Sequence, residues 1–470
     1  MRPLCVDLHG SLLRTDLLLE GWLTLVKRNP LYVLLSLLWL LHGKAVLKAE
    51  VARRIRFNPE ALPYNSEVLQ WLRSERARGR RLWLCTGANE VFAARVAGHL
   101  GIFEGVLASD ATHNLTGRAK AECLVRSFGF QEFDYCGDER RDLPIWYCSG
   151  GAIVVSHGGT LASRVGSRVP LLGSFSVGGH RVRATWRALR PHQWAKNVLV
   201  FVPLLAAHRA GDALVLGKVA LAFVAFCLCA SSVYVLNDML DLQADRAHLR
   251  KSRRPFASGD LPLGMGFLLV PALLTGAALI AAFLSPGFLA VMGGYYVLTT
   301  AYSFALKGMI FIDALALAAL YALRIGAGAA AAGVPLSFWL LLFSVFLFLS
   351  LAIVKRYAEL DALRRRGQLQ AAGRDYDVDD LPMMESVGIS AGYVSVLVLA
   401  LYVNSPATLL MYRRPEALWP LCLLLLYWIT RMWMKTHRGK MHDDPLVFAM
   451  RDRVSLATGL LAALIVGLAI

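Results

Sequence analysis

Acidic residues are scarce in this chain, and its cysteines lack the spacing of a metal site. The 470 residues include 33 Asp and Glu against 50 Lys and Arg, a formal net charge of +17. The eight cysteines form no CxxC pair and no Cys/His cluster, which argues against a zinc-binding module and predicts reduced thiols. The N-terminal MRPLCVDLHG has no apolar core or cleavage site of a signal peptide, so we expect a folded strand there.

The positive charge has no interleaved aromatic pattern, and this argues against a nucleic-acid partner. Basic residues concentrate instead near the ends of apolar segments, as at Arg250, Lys251, Arg253 and Arg254. Such placement is typical of cytoplasmic membrane loops. A basic balance also suits membrane lipids and phosphorylated substrates as partners.

Hydropathy divides the chain into two parts. Hydrophobic residues make up 56% of the sequence and the mean hydropathy is +0.50, too apolar for an ordinary soluble protein of this size. Charges and short apolar runs alternate up to about residue 180, whereas long apolar stretches dominate afterwards. We predict a cytoplasmic α/β Rossmann-like domain over 1–180, followed by an all-α polytopic membrane bundle over 185–470.

The membrane part predicts about nine transmembrane helices. They are placed at 195–212, 215–236, 264–285, 287–306, 309–331, 335–354, 389–411, 414–432 and 454–470. The connectors on one side carry most of the Lys and Arg. The positive-inside rule therefore predicts a multi-pass protein of a bacterial-type inner or plasma membrane, with its N-terminus in the cytoplasm and its C-terminus outside.

A shorter apolar stretch, LYVLLSLLWLLH at 31–42, lies inside the N-terminal domain. It is too short to span a bilayer comfortably. We interpret it either as a core helix or as a helix resting on the membrane.

Polar residues follow several apolar runs of the N-terminal domain. Asp7 ends the run Leu4–Val6, Thr86 ends a run that begins at 81, and Asp138 follows Phe133–Cys136 by two residues. Strand ends that present polar groups at one sheet edge are where α/β proteins build active sites. Lys120, near the start of a predicted helix, completes the pattern.

These positions, in this order, resemble the haloacid dehalogenase superfamily over about residues 1–165. The resemblance implies that Asp7 is a nucleophile and that Thr86 and Lys120 hold the phosphoryl group. Asp7, Asp138 and Asp142 would then bind Mg²⁺, which offsets charge on the transferring group.

One position departs from that family. Where its phosphatases usually carry a second aspartate as general acid and base, this chain has His9. Histidine titrates near neutrality and can serve the same role, so we include His9 among the catalytic candidates. The alternative is a degenerate domain that is retained for folding or docking.

The most informative membrane motif is NDMLDLQAD at 237–245. Asp238, Asp241 and Asp245 stand at i, i+3 and i+7, which predicts three carboxylates on one helical face. Like charges at a membrane boundary repel unless cations bridge them, and oxygen ligands suit Mg²⁺ shared with a diphosphate. The alternative, a solvated acidic helix end paired with nearby arginines, explains the spacing less well.

Together with the basic stretch that follows, up to Gly259, this motif resembles the UbiA superfamily over about residues 185–470. The resemblance implies a nine-helix bundle in which the aspartates bind Mg²⁺-diphosphate. Asn237 then belongs to the substrate site, and Lys251, Arg253 and Arg254 face phosphate oxygens.

The stretch LRPHQWAKN at 189–197 resembles one branch of that family, the decaprenyl-phosphate phosphoribosyltransferases. The resemblance implies 5-phosphoribosyl diphosphate as the Mg²⁺-bound donor and a polyprenyl phosphate as the nucleophile. Lys196 and Lys307 are the leading catalytic cations, and Lys355 and Arg356 are further substrate-binding candidates. The stretches from Arg374 to Tyr376 and from His442 to Pro445 resemble other parts of the family.

The product would be polyprenyl-phosphoryl 5-phosphoribose. We expect the N-terminal domain either to remove its 5-phosphate as a phosphatase or to bind a related phosphorylated sugar. One alternative is transfer of a polyprenyl group from its diphosphate to an aromatic acceptor. Another is a non-catalytic lipid-binding scaffold. The sequence leaves prenyl chain length open, and a homo-oligomer is one of the open oligomeric states.

Overall fold

The computed structural model describes residues 1–156, 158–176, 181–248, 250–368, 375–441 and 444–470, without the side chains of 407, 409 and 410. The candidates Arg374, His442 and Asp443 lie outside these ranges. The chain divides into two compact units. The first contains Met1–Arg190 and Tyr234–Pro271, and the second contains Pro191–Val233 and Ala272–Ile470.

The first unit contains a six-stranded parallel sheet in the order β3-β2-β1-β4-β5-β6. Its strands are β1 Leu4–Val6, β2 Leu82–Asn89, β3 Gly105–Ser109, β4 Asp134–Gly137, β5 Gly151–Ser156 and β6 Leu171–Ser176. The central strand β1 is apolar and fully buried, as expected of a parallel strand covered on both faces. The predicted α/β architecture is therefore confirmed.

Helices cover this sheet and insert a helical cap after β1. They are α1 Leu17–Arg28, α2 Tyr32–Leu41, α3 Lys44–Arg54, α4 Ser66–Ala77, α5 Glu90–Leu100, α6 Arg118–Phe128, α7 Leu143–Trp146, α8 Gly159–Gly166 and α9 Arg181–Leu189. The side chain of Asp16 caps α1 by accepting hydrogen bonds from the backbone N–H groups of Leu18 and Leu19. Helices α1 to α3 form the cap.

The rest of the chain is helical. Its helices are α10 Val202–Ala206, α11 Ala213–Leu240, α12 Leu242–Arg246, α13 Leu263–Leu284, α14 Pro286–Phe304, α15 Ile312–Ala332, α16 Phe338–Arg364, α17 Leu381–Val403, α18 Pro406–Met411, α19 Trp419–His437, α20 Pro445–Ala449 and α21 Arg453–Ala469. The buried faces of α15, α16, α17 and α19 form one apolar core. The serines that precede α14 and α16 cap these helices.

Six helical segments in the described residues are long and apolar enough to cross a membrane. They are Ala213–Leu240, Leu263–Leu284, Ile312–Ala332, Phe338–Arg364, Val378–Val403 and Pro415–His437. The predicted count of nine is therefore not confirmed. Helix α14 fills the predicted span 287–306 but is less apolar because of its glycines and tyrosines, and α21 has 17 residues.

The prediction of a single spanning helix at 195–212 is wrong. This part of the chain forms a 3-10 helix over Pro191–Phe201 and then the short helix α10. Pro203 stands at the start of α10, where it is tolerated because the first helical N–H groups have no partner within the helix. An apolar run alone did not reveal this interruption.

Helix α2 decides between the two interpretations of the stretch 31–42. Leu34, Leu37, Leu38 and Leu41 are 54–82% exposed, and Ser36 is the one buried residue of the helix. The core alternative is therefore wrong. The membrane-resting alternative stays a prediction.

Candidate active sites

The first candidate site lies at the carboxyl edge of the sheet, around β1. Asp7 follows β1 directly, Thr86 lies within β2 and Asp138 follows β4. Because β2 and β4 are the two neighbours of β1, the chain brings these residues to the crevice where the strand order reverses. Lys120 reaches the same crevice from the first turn of α6.

Three aspartates form a compact carboxylate cluster in this crevice. One oxygen each of Asp7, Asp138 and Asp142 lies within 4.8 Å of the others. The Nζ of Lys120 donates a hydrogen bond to Asp7 Oδ1 at 2.9 Å and another to the Tyr135 hydroxyl at 3.0 Å. Carboxylates this close repel one another unless a cation lies between them, so the oxygen-only set fits a divalent ion such as Mg²⁺.

Neighbouring donors orient these carboxylates. The Tyr135 hydroxyl donates to Asp142 Oδ1 at 3.2 Å, and the backbone N–H groups of Asp138 and Glu139 donate to Asp142 Oδ2 at 3.2 and 3.3 Å. The Ser11 hydroxyl donates to Asp138 Oδ1 at 3.2 Å. Outer hydrogen bonds of this kind fix the direction in which a ligand oxygen points.

Burial and mutual repulsion shift the pKa values of the cluster. Burial, assisted by Asp7 and Asp142, raises the pKa of Asp138 well above its usual range. Burial and the charge of Asp7 raise the pKa of Asp142 to about 6. Burial lowers the pKa of Lys120, but Asp7 and Asp142 outweigh it and the net shift is upward. Lys120 therefore stays charged, whereas Asp138 and Asp142 take up protons more readily than free carboxylates.

His9 and Thr86 line the same cavity, whose volume is about 270 Å³. His9 Nε2 accepts a hydrogen bond from the backbone N–H of Leu17 at 3.3 Å, which leaves the ring proton on Nδ1. Thr86 is fully buried, and its Oγ1 accepts from the backbone N–H of Ala88 at 3.0 Å. This contact lies in the irregular part of β2, where its pairing with β3 shifts register between Cys85 and Asn89.

Sequence reasoning missed a cap residue of this cavity. The Nζ of Lys48, in α3, donates to Asn114 Oδ1 at 2.7 Å and to the carbonyl oxygen of Gly87. Burial lowers the pKa of Lys48, as expected of a lysine enclosed by the cap. The sequence carries no signal for Lys48, because α3 contains several basic residues and only the fold selects one of them.

The second candidate site is the aspartate-rich motif, and the prediction that one helix carries it is wrong. Helix α11 ends at Leu240, so Asp238 stands in its last turn. Asp241 adopts φ −102° and ψ 14° at the junction, and Asp245 lies in the separate helix α12. The sequence has no Gly or Pro at this break. Ion pairs with residues distant in the sequence accompany the break instead.

Basic side chains pair with all three aspartates. Arg254 Nη1 lies 3.1 Å from Asp238 Oδ1 and 2.6 Å from Asp245 Oδ2, and Arg190 also pairs with Asp238. In the described part of the chain, Asp238 Oδ2 is buried and accepts no hydrogen bond. A buried carboxylate oxygen without a partner is costly unless a cation reaches it. This oxygen fits a metal ligand.

The flanking candidates lie close by in the chain. Asn237 precedes Asp238 in α11, and Lys251 and Arg253 form a 3-10 turn before Arg254. Burial raises the pKa of Asp245, and the charge of Arg254 opposes that shift. Arg254 pairs with two of the motif carboxylates, Asp238 and Asp245.

The second unit brings together two of the predicted cations. The Nζ atoms of Lys196 and Lys355 lie 2.6 and 3.6 Å from the same oxygen, Asp444 Oδ2. Burial raises the pKa of Asp444, but the two lysines outweigh burial and lower it overall. A small cavity of about 40 Å³, also lined by Tyr321, opens beside them. The position suits an anionic group that competes with Asp444 for two lysines.

Arg356 differs from these lysines because protein groups already occupy its guanidinium. It is 2% exposed, pairs with Asp313, and donates to Glu359 at 2.8 Å and to the Tyr302 hydroxyl at 2.6 Å. This geometry supports a role in holding α15 against α16. Lys307 lies in a 3-10 turn after α14.

The structure also reveals a buried cation inside a membrane helix. Arg324, in the middle of α15, donates to Asn197 Oδ1 and to the Tyr295 hydroxyl, both at 2.9 Å. Its guanidinium lies 5.4 Å from the ring of Tyr321. A lone arginine in an apolar span is a functional candidate by default, so the sequence did carry a signal that our reasoning missed.

These folds and sites define a membrane transferase joined to a phosphatase-like domain. The sequence profile of the UbiA prenyltransferase family matches residues 198–464, and the chain belongs to this family. The haloacid dehalogenase-like hydrolase profile matches residues 13–146, a range that begins after Asp7. The predicted fusion of the two folds is therefore confirmed, and the chain is an integral membrane enzyme of the transferase class.

Similar proteins cover either most of the chain or its membrane part. An uncharacterized protein, y4nM, of Sinorhizobium fredii is 35% identical over 98% of this chain and 90% of its own length. The nodulation protein NoeC of Azorhizobium caulinodans is 38% identical, covering 57% of this chain and 87% of NoeC. A decaprenyl-phosphate phosphoribosyltransferase of Mycolicibacterium smegmatis is 42% identical over 38% of this chain and 58% of that protein.

Proposed function

We propose that the membrane domain transfers the 5-phosphoribosyl group of 5-phosphoribosyl diphosphate to a polyprenyl phosphate. The observation that carries this proposal is the aspartate-rich motif, with a buried, unpartnered oxygen on Asp238 and basic side chains on all three carboxylates. Such a site suits a metal-bound diphosphate. The relative named as a decaprenyl-phosphate phosphoribosyltransferase, 42% identical over 185 residues, supports the choice of donor and acceptor.

In this reaction the bond between ribose C1 and the diphosphate breaks, and a lipid phosphate oxygen forms the new bond at C1. Asp238, Asp241 and Asp245 would hold Mg²⁺, which when bound offsets the charge of the departing diphosphate. Arg254 binds diphosphate oxygens once it leaves the carboxylates. The lipid phosphate is already anionic, so the step needs positioned cations and no catalytic base.

We assign Lys196 and Lys355 to the phosphate of a substrate. Both lysines converge on one oxygen of Asp444, and an incoming phosphate offers them more negative charge than this single carboxylate. Lys307 stays a candidate for the same role. Arg356 is the weaker candidate because Asp313, Glu359 and Tyr302 engage it.

For the N-terminal domain we propose a phosphatase that acts on the phosphoribosyl lipid. Asp7 attacks the phosphorus and the bond from phosphorus to the sugar oxygen breaks. His9, protonated on both ring nitrogens once Nε2 is released from the Leu17 N–H, gives one proton to that oxygen. The neutral ring then takes a proton from the attacking water, which hydrolyses the aspartyl-phosphate. Lys120, 2.9 Å from Asp7, and Thr86 bind the phosphoryl oxygens, and the three-aspartate cluster would hold Mg²⁺.

We further propose that the N-terminal domain lies on the cytoplasmic side of the inner membrane. The basic connector that carries Arg250, Lys251, Arg253 and Arg254 follows the first spanning helix, and the positive-inside rule places such a connector in the cytoplasm. The phosphorylated donor is a soluble metabolite that would reach the site from that side.

Membranes that contain the full chain test the transferase. We expect Mg²⁺-dependent incorporation of label from 5-phosphoribosyl diphosphate into lipid, with at least a hundredfold loss in Asp238→Asn. Asp212→Asn is the matched control, because Asp212 immediately precedes the opposite end of the same helix and its side chain is 38% exposed. Lipid labelling that survives in Asp238→Asn would contradict the proposal. Transfer of a labelled prenyl diphosphate to an aromatic acid, without ribose incorporation, would support the alternative function.

A further inference from the structure

Helix α1 of the cap contacts the aspartate-rich motif itself. The Nζ of Lys27, in the last turn of α1, lies 2.5 Å from Asp241 Oδ1. The two side chains are 33% and 26% exposed, so a ligand can reach the pair. A residue of the N-terminal domain is therefore part of the site that we assign to the membrane transferase.

A second, buried ion pair fixes this contact. Arg246, one residue after Asp245, donates to Glu20 of α1 at 2.7 Å, and both side chains are at most 5% exposed. Arg246 Nε also donates to the carbonyl oxygen of Ala257 at 3.0 Å. Removing one partner of a buried pair leaves an uncompensated charge, so a substitution of Glu20 or Arg246 alone should disturb the contact of α1 with the motif.

Close backbone packing supports the same arrangement. Gly259 has φ +77°, and a Cβ at this position would lie 2.4 Å from the Cβ of Arg14, just before α1. The ring of Trp22 in α1 also lies 5.7 Å from that of Phe267 in α13. Helix α1 is thus seated on the segment that follows the motif by contacts at several points along its length.

We propose that Lys27 is a positioning residue of the transferase site. It neutralises Asp241 while the motif is without metal, and it releases Asp241 when Mg²⁺ and a diphosphate bind. The inference rests on the proposed function only in taking Asp241 as a metal ligand. The N-terminal domain thereby sets the affinity of the membrane motif for its metal.

The same helix reaches the other candidate site. Asp16, which caps α1, and Leu18 line the phosphatase cavity, and the backbone N–H of Leu17 binds His9. Helix α1 has 12 residues and is about 18 Å long, and its two ends therefore contact the two candidate sites.

The test is the rate at which an acylating reagent modifies the Lys27 amine in the full chain in lipid nanodiscs, read by mass spectrometry. The probe is Mg²⁺ with inorganic diphosphate, and the exposed Lys440 is the internal reference. We expect the probe to raise acylation of Lys27 severalfold relative to Lys440. Asp241→Asn should give the raised rate without the probe.

A pair of variants adds an independent measurement. Lys27→Met removes the competitor for Asp241, so the Mg²⁺ concentration for half-maximal transfer should fall about two- to fivefold, the range for a partly exposed ion pair. Arg28→Met, at the exposed neighbouring position, should leave it unchanged.

Acylation of Lys27 that the probe leaves unchanged or lowers would overturn the inference, as would equal Mg²⁺ requirements in the two variants. If acylation rises but no ribose enters lipid, the inference stands and the proposed phosphoribosyl transfer falls. The two failures are therefore distinguishable.

Discussion

At the scale of residues, neighbouring strand ends assemble the carboxylate cluster of the first unit, whereas ion pairs with distant residues surround the aspartate-rich motif. Asp7, Thr86 and Asp138 stand at the ends of apolar runs, and parallel strands bring such residues to one edge. Arg190 pairs with Asp238 and Lys27 pairs with Asp241, and both basic residues are distant from the motif in sequence. Local spacing predicted three aspartates on one helix, whereas long-range ion pairs accompany a helix break.

Gly10 offers a test of the cluster geometry. It has φ +77°, and a Cβ at this position would lie 1.8 Å from Asp138 Oδ2. Gly10→Ala should therefore displace Asp138 and abolish release of phosphate from a phosphorylated sugar. Gly79→Ala is the matched control, since Gly79 has φ +84° with nothing within 4 Å. It should cost only about 1–2 kcal/mol of backbone strain and keep the activity. Equal activity in the two variants would contradict the assigned geometry.

The raised pKa of Asp142, about 6, predicts a pH dependence of metal binding. Below pH 6 the metal-free carboxyl holds a proton that Mg²⁺ must displace, so affinity should fall about tenfold per pH unit for this group. Because folding raises the pKa of Asp142 from 3.8 to about 6, the metal-free fold loses stability as the pH rises through this range. Asp238→Asn removes a ligand of the other proposed Mg²⁺ site. A calorimetric Mg²⁺ titration of this variant at pH 5 and 7 therefore measures the affinity of the carboxylate cluster. Equal affinities would contradict the predicted pH dependence.

At the scale of elements, the long apolar stretches predicted where the spanning helices lie better than how many there are. The run at 195–212 is apolar enough, yet it folds as a 3-10 helix and a short α-helix. Its residues Asn197, Val200 and Leu204 are buried inside the second unit. Protein interior and lipid are equally apolar, so hydropathy does not distinguish a buried irregular segment from a span.

Helix α2 is the element for which we predict contact with the bilayer. Its leucines are exposed, and three residues separate it from α1. Trp22 of α1 contacts Phe267 near the start of the spanning helix α13. Lys44 follows this apolar helix, and the guanidinium of Arg54 lies 4.8 Å from the ring of Trp39 within it. Both cations suit anionic lipid head groups.

A nitroxide label at Leu38→Cys, in a background with Cys123 and Cys148 replaced by serine, should therefore be more accessible to oxygen than to a water-soluble nickel complex. The control Glu67→Cys, exposed in α4, should show the reverse. Equal accessibility at the two positions would exclude contact of α2 with lipid.

At the scale of the whole molecule, the chain combines a transferase and a phosphatase fold, and the proposed reactions are consecutive. The product of the first reaction carries the phosphate that the second removes, and fusion raises its local concentration. The two-domain organisation was visible in the hydropathy profile. The contacts of α1 with the motif were not, because ion pairs between residues more than 200 positions apart leave no local pattern.

The most direct test of this account uses 5-phosphoribosyl diphosphate that carries ¹⁴C in the ribose and ³²P in the 5-phosphate. In the wild type we expect ¹⁴C to enter lipid while ³²P is released as inorganic phosphate. In Asp7→Asn both labels should stay in the lipid, and in Asp238→Asn neither should enter it. Absence of ¹⁴C from the lipid fraction in the wild type, with Mg²⁺ and polyprenyl phosphate present, would contradict the proposed transferase.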